Sequence, residues 1–360
     1  MKKRHLYLMV VAAVMAVSSV SVSAVDIQTS GAIRVRDQIE MKSGAAGDNT
    51  QRNRIRLSFQ YGGKAMVAEN VEAGFGIATM GDHRSLNTTF GTGSQPTGST
   101  ANSTAFAQPN VAIDYAYIKH TKESMSVTLG RFRNPFFTVS QLIWDNDIRG
   151  EGAAFNYNLT DLNANITAAW YALDEKSSGL ADSNMVIVQA AHSNTVMDLP
   201  VKGALTYYGT AFATGDSTVF GGTALNKELA AWQLAGEVSF VTSFVDRFRA
   251  YGDFVTNSGA TTNDRNGILL GANFGSKKLA GPGTWEGDIS YRYLQKAAFV
   301  PALVDSDFLS GATQSKGWTG SLKYAVDRDL IAGITYRQAY DLINFDQVHS
   351  MVQLDLSTKF

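Results

Sequence analysis

Five arginines recur at every second position of two neighbouring stretches: Arg34 and Arg36, then Arg52, Arg54 and Arg56. In an extended chain, alternate side chains share a face, so each set points one way. Guanidinium groups at that density repel one another unless water, counter-ions or facing acids screen them. Two readings stay open. One is a basic wall that orients or selects solutes passing through a wet space. The other is a network paired with neighbouring acids. Alternation adds Arg131, Arg247, Arg249, Arg292, Lys323 and Arg337 to these polar faces. It also adds the acids Glu40, Glu72, Asp114, Glu237, Asp253, Glu286, Asp288 and Asp355.

A second cluster lies between Phe132 and Gly152. It contains Asn134, Pro135, Phe136, Phe137, Leu142, Ile143 and Trp144, then Asp145, Asp147 and Glu151. A connection with so much apolar surface must pack against something. If it folds into a wet space beside the arginines, its three acids face them and set up a transverse field. The other reading packs it on a rim or against a neighbouring subunit.

Catalytic and metal chemistry find little to work with. His192-Ser193 and His349-Ser350 put serine beside histidine, but neighbours on a strand face opposite ways and cannot form a dyad. Asp145-Asn146-Asp147 and Asp305-Ser306-Asp307 offer oxygens to Ca²⁺, without the spaced glycine and distal glutamate of an EF-hand loop. No phosphate-cradling glycine loop opens a helix. No enzyme activity, metal or cofactor is expected.

The elements that must hold these residues are strands. From Val348 to Phe360, Val352, Leu354, Leu356 and Phe360 alternate with Met351, Gln353, Asp355 and Lys359. A bare aromatic at the tip of an amphipathic strand suits the closing strand of a membrane barrel, whose outer face meets lipid. The soluble alternative is an edge strand of a β-sandwich. About sixteen such segments follow one another, joined alternately by short and long connections, with no convincing helical period. Even count and alternating connections are the pattern of an outer-membrane barrel, short turns inside and long loops outside. The stretch from about Gly81 to Asn110 is rich in Ser, Thr, Gly and Asn. Its composition predicts a mobile surface loop.

Aromatic residues fall into two bands on the apolar faces. Phe59, Tyr61, Tyr115, Tyr117, Phe155, Tyr157, Phe240 and Tyr324 lie near one set of strand ends. Trp170, Tyr207, Trp232, Phe254, Tyr293 and Trp318 lie near the other. Two bands predict interfacial girdles, whereas a sandwich core would gather its rings at mid-strand.

The N-terminus supports export. Lys2, Lys3 and Arg4 precede an apolar stretch from Leu6 to Val17, and Val22-Ser23-Ala24 offers small residues for cleavage. This predicts a signal peptide at 1–24 and a single barrel domain over 25–360. The chain has no cysteine, so no disulfides support it, and 31 basic residues against 32 acidic ones leave no basic footprint for nucleic acid.

Four segments of this sequence resemble the bacterial "putative porin" family. They are Asn53-Arg54-Ile55-Arg56-Leu57, Asp114-Tyr115-Ala116-Tyr117-Ile118, Gly130-Arg131 with Asn134-Pro135-Phe136, and Trp144-Asp145-Asn146-Asp147 with Glu151-Gly152. The resemblance implies an all-β, up-and-down transmembrane barrel in the bacterial outer membrane that passes ions and small hydrophilic solutes. It implies partnership with the lipid bilayer, and with barrel assembly machinery that reads Phe360. A homotrimer is suggested by architectural similarity to general porins. On this reading Arg34, Arg36, Arg52, Arg54, Arg56 and Arg131 line the pore, and the segment from Asn134 to Glu151 constricts it. The alternatives are a specific channel for an anionic metabolite and a plugged structural or adhesion barrel.

Overall fold

The structure, a computed structural model, describes residues 26–44, 49–81, 84–91, 109–175, 182–211, 229–344 and 347–360. The expected signal peptide lies outside them. Alternating sequence becomes strand throughout. The order is β1 (Ile27–Ser43), β2 (Thr50–Ala68), β3 (Val71–Thr79), β4 (Thr88–Thr89), β5 (Val111–Lys122), β6 (Met125–Arg133), β7 (Arg149–Leu159), β8 (Ala164–Asp174) and β9 (Ser183–Val196). It continues with β10 (Leu199–Ala211), β11 (Ala230–Phe240), β12 (Arg247–Asn257), β13 (Asn266–Gly275), β14 (Trp285–Leu294), β15 (Ser315–Ala325), β16 (Leu330–Asp341) and β17 (Val348–Lys359).

Each long strand pairs antiparallel with the next, and β17 pairs with β1, so sixteen strands close a barrel and β4 is an extra strand laid on β2. Closure runs from Ala32 opposite Lys359 to Ser43 opposite Val348. Two backbone bonds finish it: the Gly31 N–H donates to the Phe360 oxygen at 2.7 Å, and the Phe360 N–H donates back at 3.0 Å. The Phe360 ring lies over Gly31, where a Cβ would collide with it. Closure leaves no unpaired edge, which is what a sheet in lipid requires.

Connections at the end where β1 begins are mostly short turns, such as 69–70, 123–124 and 197–198, the longest being 276–284. Those at the opposite end, L1 to L8 in chain order, include the long ones: L2 at 80–110, L3 at 134–148, L5 at 212–229 and L7 at 295–314.

The outer face carries Val186, Leu205, Leu234, Leu270, Ile289, Ile334 and Leu356, all exposed. The inner face carries Arg36, Gln38, Gln189, Thr206, Gln233 and Gln353, all buried. Phe240, Phe248, Phe274 and Trp285 form a continuous run of ring contacts near the short turns. Tyr207 pairs with Trp232, and Tyr291 with Trp318, nearer the long loops.

Two of the expected girdle residues turn the other way. The β3–β5 register shifts at Asp114, between the pairs Ile77–Ile113 and Gly76–Tyr115. This bulge flips the alternation, so Ile113 and Ile118 face out while Tyr115 and Tyr117 face in. Tyr117 accordingly donates to Glu72 at 2.8 Å inside the barrel. An extra residue on one strand reverses every face beyond it.

Candidate functional site

The inner faces of β1 and β2 form the arginine wall, and neighbours supply polar partners to four of its five arginines. Arg36 grips Asp355 of β17 with two hydrogen bonds, at 2.7 and 2.9 Å. Arg54 donates to Glu40 at 2.6 Å. Arg56 donates to Gln38 at 3.1 Å and to Ser85 at 3.0 Å, and Arg34 donates to Asn87 at 2.7 Å. Arg52 sits exposed on the same face, near the L1 end and opposite Glu40 in register. Bidentate and charge-assisted contacts of this kind fix guanidinium planes in place.

Arg131 departs from the expectation. Its register partners are Ala116 and Glu151. Those residues share a face with Ile118, Leu129, Phe155 and Tyr157, which is the outer face. Arg131 therefore does not line the lumen. It pairs with Glu151 at 2.6 Å on the outside of the barrel. Glu151 also leaves the constriction loop, because β7 has already begun at Arg149. The bulge at Asp114 is the physical reason for the first departure, since it resets the alternation on β5 that Arg131 follows.

L3 runs inward, and Asp114 holds both its feet. The Asp114 carboxylate lies 2.9 Å from Arg149 and 3.6 Å from Arg133. Asn134 accepts from the Phe136 N–H at 3.0 Å, which shapes the turn around Pro135. The Phe137 N–H donates to Gln189, and the Gln189 amide returns a bond to the Phe137 oxygen, at 2.8 and 2.9 Å. Ser140 donates to Asp253 at 2.7 Å. Phe136, Leu142, Ile143 and Trp144 pack with Tyr171, Met185, Tyr208 and Val255 in an apolar core inside the barrel. Each such burial is worth about 1.5–3 kcal/mol, which a solvated loop would forgo.

Two further loops join it. L7 also turns inward, burying Phe299, Val300, Leu303 and Val304 in the same core. The run Ala298-Phe299-Val300, followed by Leu303-Val304 and Phe308, is as apolar as L3. The same apolar signal marks both loops in the sequence. The described part of L2 is not a solvated surface loop either. Ser85, Asn87 and Thr88 are buried, and β4 pairs with Arg56 and Leu57. Polar residues sit comfortably there because the arginine wall supplies their hydrogen bonds. Residues 92–108 of L2 lie outside the described residues.

Together the loops bridge the lumen from wall to wall. L3 is tied to β9 and β12 through Gln189 and Asp253. Asp145 of L3 is tied to L7, accepting from the Ser306 N–H at 2.9 Å and donating its own N–H to the Leu303 oxygen at 2.8 Å. Asp147 of L3 accepts from the Leu86 N–H of L2 at 3.2 Å. Asp307 of L7 reaches the far wall, where it accepts from Gln353 at 2.9 Å and from Arg36 at 3.3 Å. Beside this bridge lies a cavity of about 570 Å³, lined by Arg34, Arg36, Arg337, Asp145, Asp147 and Asp307 among others.

The bridge acids titrate differently. Burial pushes Asp145 up to about 7, reinforced by Asp305 and opposed by its two backbone N–H bonds. Burial likewise raises Asp147, against the Leu86 N–H and Arg34. Burial also acts on Asp307, but Arg337, Arg36 and the Gln353 amide outweigh it and hold the carboxyl at about 2.

A family model described as "Putative porin" matches residues 16–173 and 233–360. The chain belongs to that family. It is an outer-membrane porin, and family and fold are those of a channel rather than an enzyme. Among solved structures, the porin barrel is similar to OprB of Pseudomonas putida at high pH, with a TM-score of 0.61 and 13% identity over 93% of this chain and 94% of that one. The low-pH structure of OprB gives 0.51 and 11% over 93% and 92%. A triple mutant of Rhodopseudomonas blastica porin gives 0.52 and 13%, over 93% of this chain and 100% of that one. No curated protein matches the sequence. Among the described residues of the porin, no group of three or more His, Cys, Asp or Glu side chains is placed to hold a metal.

Proposed function

We propose that this porin is a weakly selective diffusion channel for ions and small hydrophilic solutes, narrowed by L3 against the basic wall. The observation that carries this reading is the charge of both signs that lines one cavity. Arg34, Arg36 and Arg337 stand on the wall, and Asp145, Asp147 and Asp307 stand on the loops. A transverse field of that kind orients polar solutes without fixing one permeant. Arg52, Arg54 and Arg56 extend the basic side toward the long-loop end, while Asn134, Pro135, Phe136 and Trp144 form the frame that holds the loop acids. Conductance in planar bilayers under a salt gradient tests the reading, with a size series of uncharged solutes. Absence of any conductance from folded protein would sink it.

A plugged barrel is the second reading, and the wall-to-wall loop bridge favours it. The same conductance measurement separates the two. A specific anion channel is distinguished by a reversal potential displaced strongly toward anions and by block with the permeant.

The oligomer we propose is a trimer formed through β1 to β7. Their outer face near the long loops bears Ile39, Ile55, Ile77, Ile113 and Leu129 where β8, β10, β11, β12, β14 and β15 bear rings. It also bears the charges Asp37, Arg131 and Glu151. β3 and β6 are short, at 9 residues each. Two short strands, a girdle missing at the long-loop end and outward charge suit contact with protein better than with lipid. Phe360, at the closing seam, is the proposed signal for the assembly machinery.

A further inference from the structure

We propose that L7 is the inner gate of this channel, and that its Asp307 carboxylate occupies a site between Arg36, Arg337 and Gln353 that a small carboxylate in transit takes in its place. The inference rests on the channel reading above.

Three strands of the wall converge on the Asp307 carboxylate. β1 contributes Arg36 at 3.3 Å, β17 contributes the Gln353 amide at 2.9 Å, and β16 contributes Arg337 at 3.9 Å. These donors are rigid. Arg36 is already clamped by Asp355, and Arg337 is held by its 2.6 Å bond to the Gln353 oxygen. Gln353 is fully buried. Two guanidinium groups and an amide N–H, fixed on strands and aimed at one oxygen, make a carboxylate site whether or not the carboxylate belongs to the protein.

L7 is built so that the Asp307 side chain can yield while the loop stays. Phe299 packs edge-on against Tyr208 at 5.1 Å, and Ala298, Val300 and Val304 are fully buried. Arg292 lies 4.6 Å from the centre of the Phe308 ring, behind the tip. Between these anchors only Asp305, Ser306 and Asp307 stand at the cavity. Releasing Asp307 breaks its contacts with one wall and leaves the apolar anchors untouched.

The exchange is selective by charge. An incoming carboxylate replaces Asp307 like for like, so Arg36 and Arg337 never lose their counter-charge. A cation or a neutral sugar offers them nothing, and Asp307 would then leave Arg337 without its carboxylate and Arg36 with Asp355 alone, which is costly. The adjoining cavity of about 570 Å³ lets a solute reach the site.

The test compares wild type, Asp307→Asn and Asp307→Ala in planar bilayers, with sodium malonate as probe and glucose as neutral control. Asp329→Asn in a short turn serves as the charge-matched control. Both Asp307 variants are expected to conduct chloride salts at least about twofold better than wild type and to shift reversal toward anions. Millimolar malonate should block the Asp307→Ala current at clearly lower concentration than the wild-type current, and glucose should not. The isosteric Asp307→Asn keeps the shape of the loop, so it reads the charge even where Asp307→Ala folds poorly. Wild-type conductance and malonate sensitivity in both variants would overturn the gate and leave the porin reading standing. A folded wild type that conducts in no salt would overturn the porin reading and the gate with it.

Discussion

Asp145 and Ser306 clasp two loops that are far apart in sequence, the Ser306 N–H donating to the Asp145 carboxylate at 2.9 Å. The other carboxylate oxygen accepts from the Asp147 N–H at 2.9 Å, and the Asp145 N–H donates to Leu303. One residue therefore shapes its own loop and fastens it to L7. Yet this carboxyl is buried beside Asp305, so ionising it costs more than in water.

The first prediction follows from that cost. A free aspartate titrates near 4, whereas Asp145 in the clasp titrates at about 7. A raised carboxyl favours the clasped state at low pH and progressively less as pH rises between those values, with no further change above about 7. Asp307 runs the other way. Its depressed value keeps its ion pairs whole above about 4 and loses them as pH falls toward 2. Conductance should therefore rise from pH 4 to 7 as the clasp loosens, and rise again below 4 as Asp307 protonates. Asp145→Asn should abolish the neutral-range step and keep the acid one. A titration of single-channel conductance that is flat from pH 4 to 8 in wild type would refute the clasp.

The second prediction separates inner from outer arginines. Replacing Arg54 and Arg56 by glutamine leaves Glu40 without its 2.6 Å partner. Permeability should move toward cations by about twofold to fivefold, the effect of about 0.5–1 kcal/mol of field in a wet lumen. Arg131→Gln should leave ion selectivity unchanged, because that side chain stands on the outer face. Equal shifts from both changes would mean that the face assignment of β6 is wrong.

How far the sequence discloses this molecule depends on regular alternation. The strands, the seam at Phe360 and the inward course of L3 are readable because period-2 patterns and a misplaced apolar run are local signals. Tyr115, Tyr117 and Arg131 are misread from sequence because one extra residue at Asp114 reverses the faces, and a bulge leaves no local mark in composition. The inward fold of Ser85 to Thr88 is hidden for another reason. Those residues carry no apolar signal, and their burial depends on hydrogen bonds to Arg34 and Arg56 from other strands. L7 was readable in principle. Its acids Asp305 and Asp307 draw attention to solvent, but Phe299, Val300 and Val304 beside them mark a buried segment.

The third prediction tests the lipid-facing surface away from the proposed interface. Leu234, at the middle of β11, is 60% exposed on the outer face. Leu234→Arg should destabilise folding into vesicles by about 2–4 kcal/mol. Arginine at Thr335, which lines the cavity, should cost far less. Denaturant titration in lipid measures both, and an equal cost at the two sites would contradict the assignment of faces.

The fourth prediction concerns the outward ion pair. Arg131 and Glu151 lie 2.6 Å apart, with side chains 34% and 61% exposed on the isolated barrel. In water such a pair is worth about 0–1 kcal/mol. Facing lipid, an arginine near the membrane interface adds a cost of up to about 1 kcal/mol. Covered by a neighbouring subunit, both charges can keep their pairing and gain polar contacts. Glu151→Arg places two like charges on each subunit at the proposed seam, so the oligomer should dissociate to monomers while each barrel stays folded. Exchanging both residues, Arg131→Glu with Glu151→Arg, should restore association in part by restoring the pair. Mass measurement in detergent decides the matter, with heat-shifted gel mobility as the check on barrel integrity. If the single variant keeps the wild-type oligomer, or if wild type is itself monomeric, β6 and β7 do not form the contact.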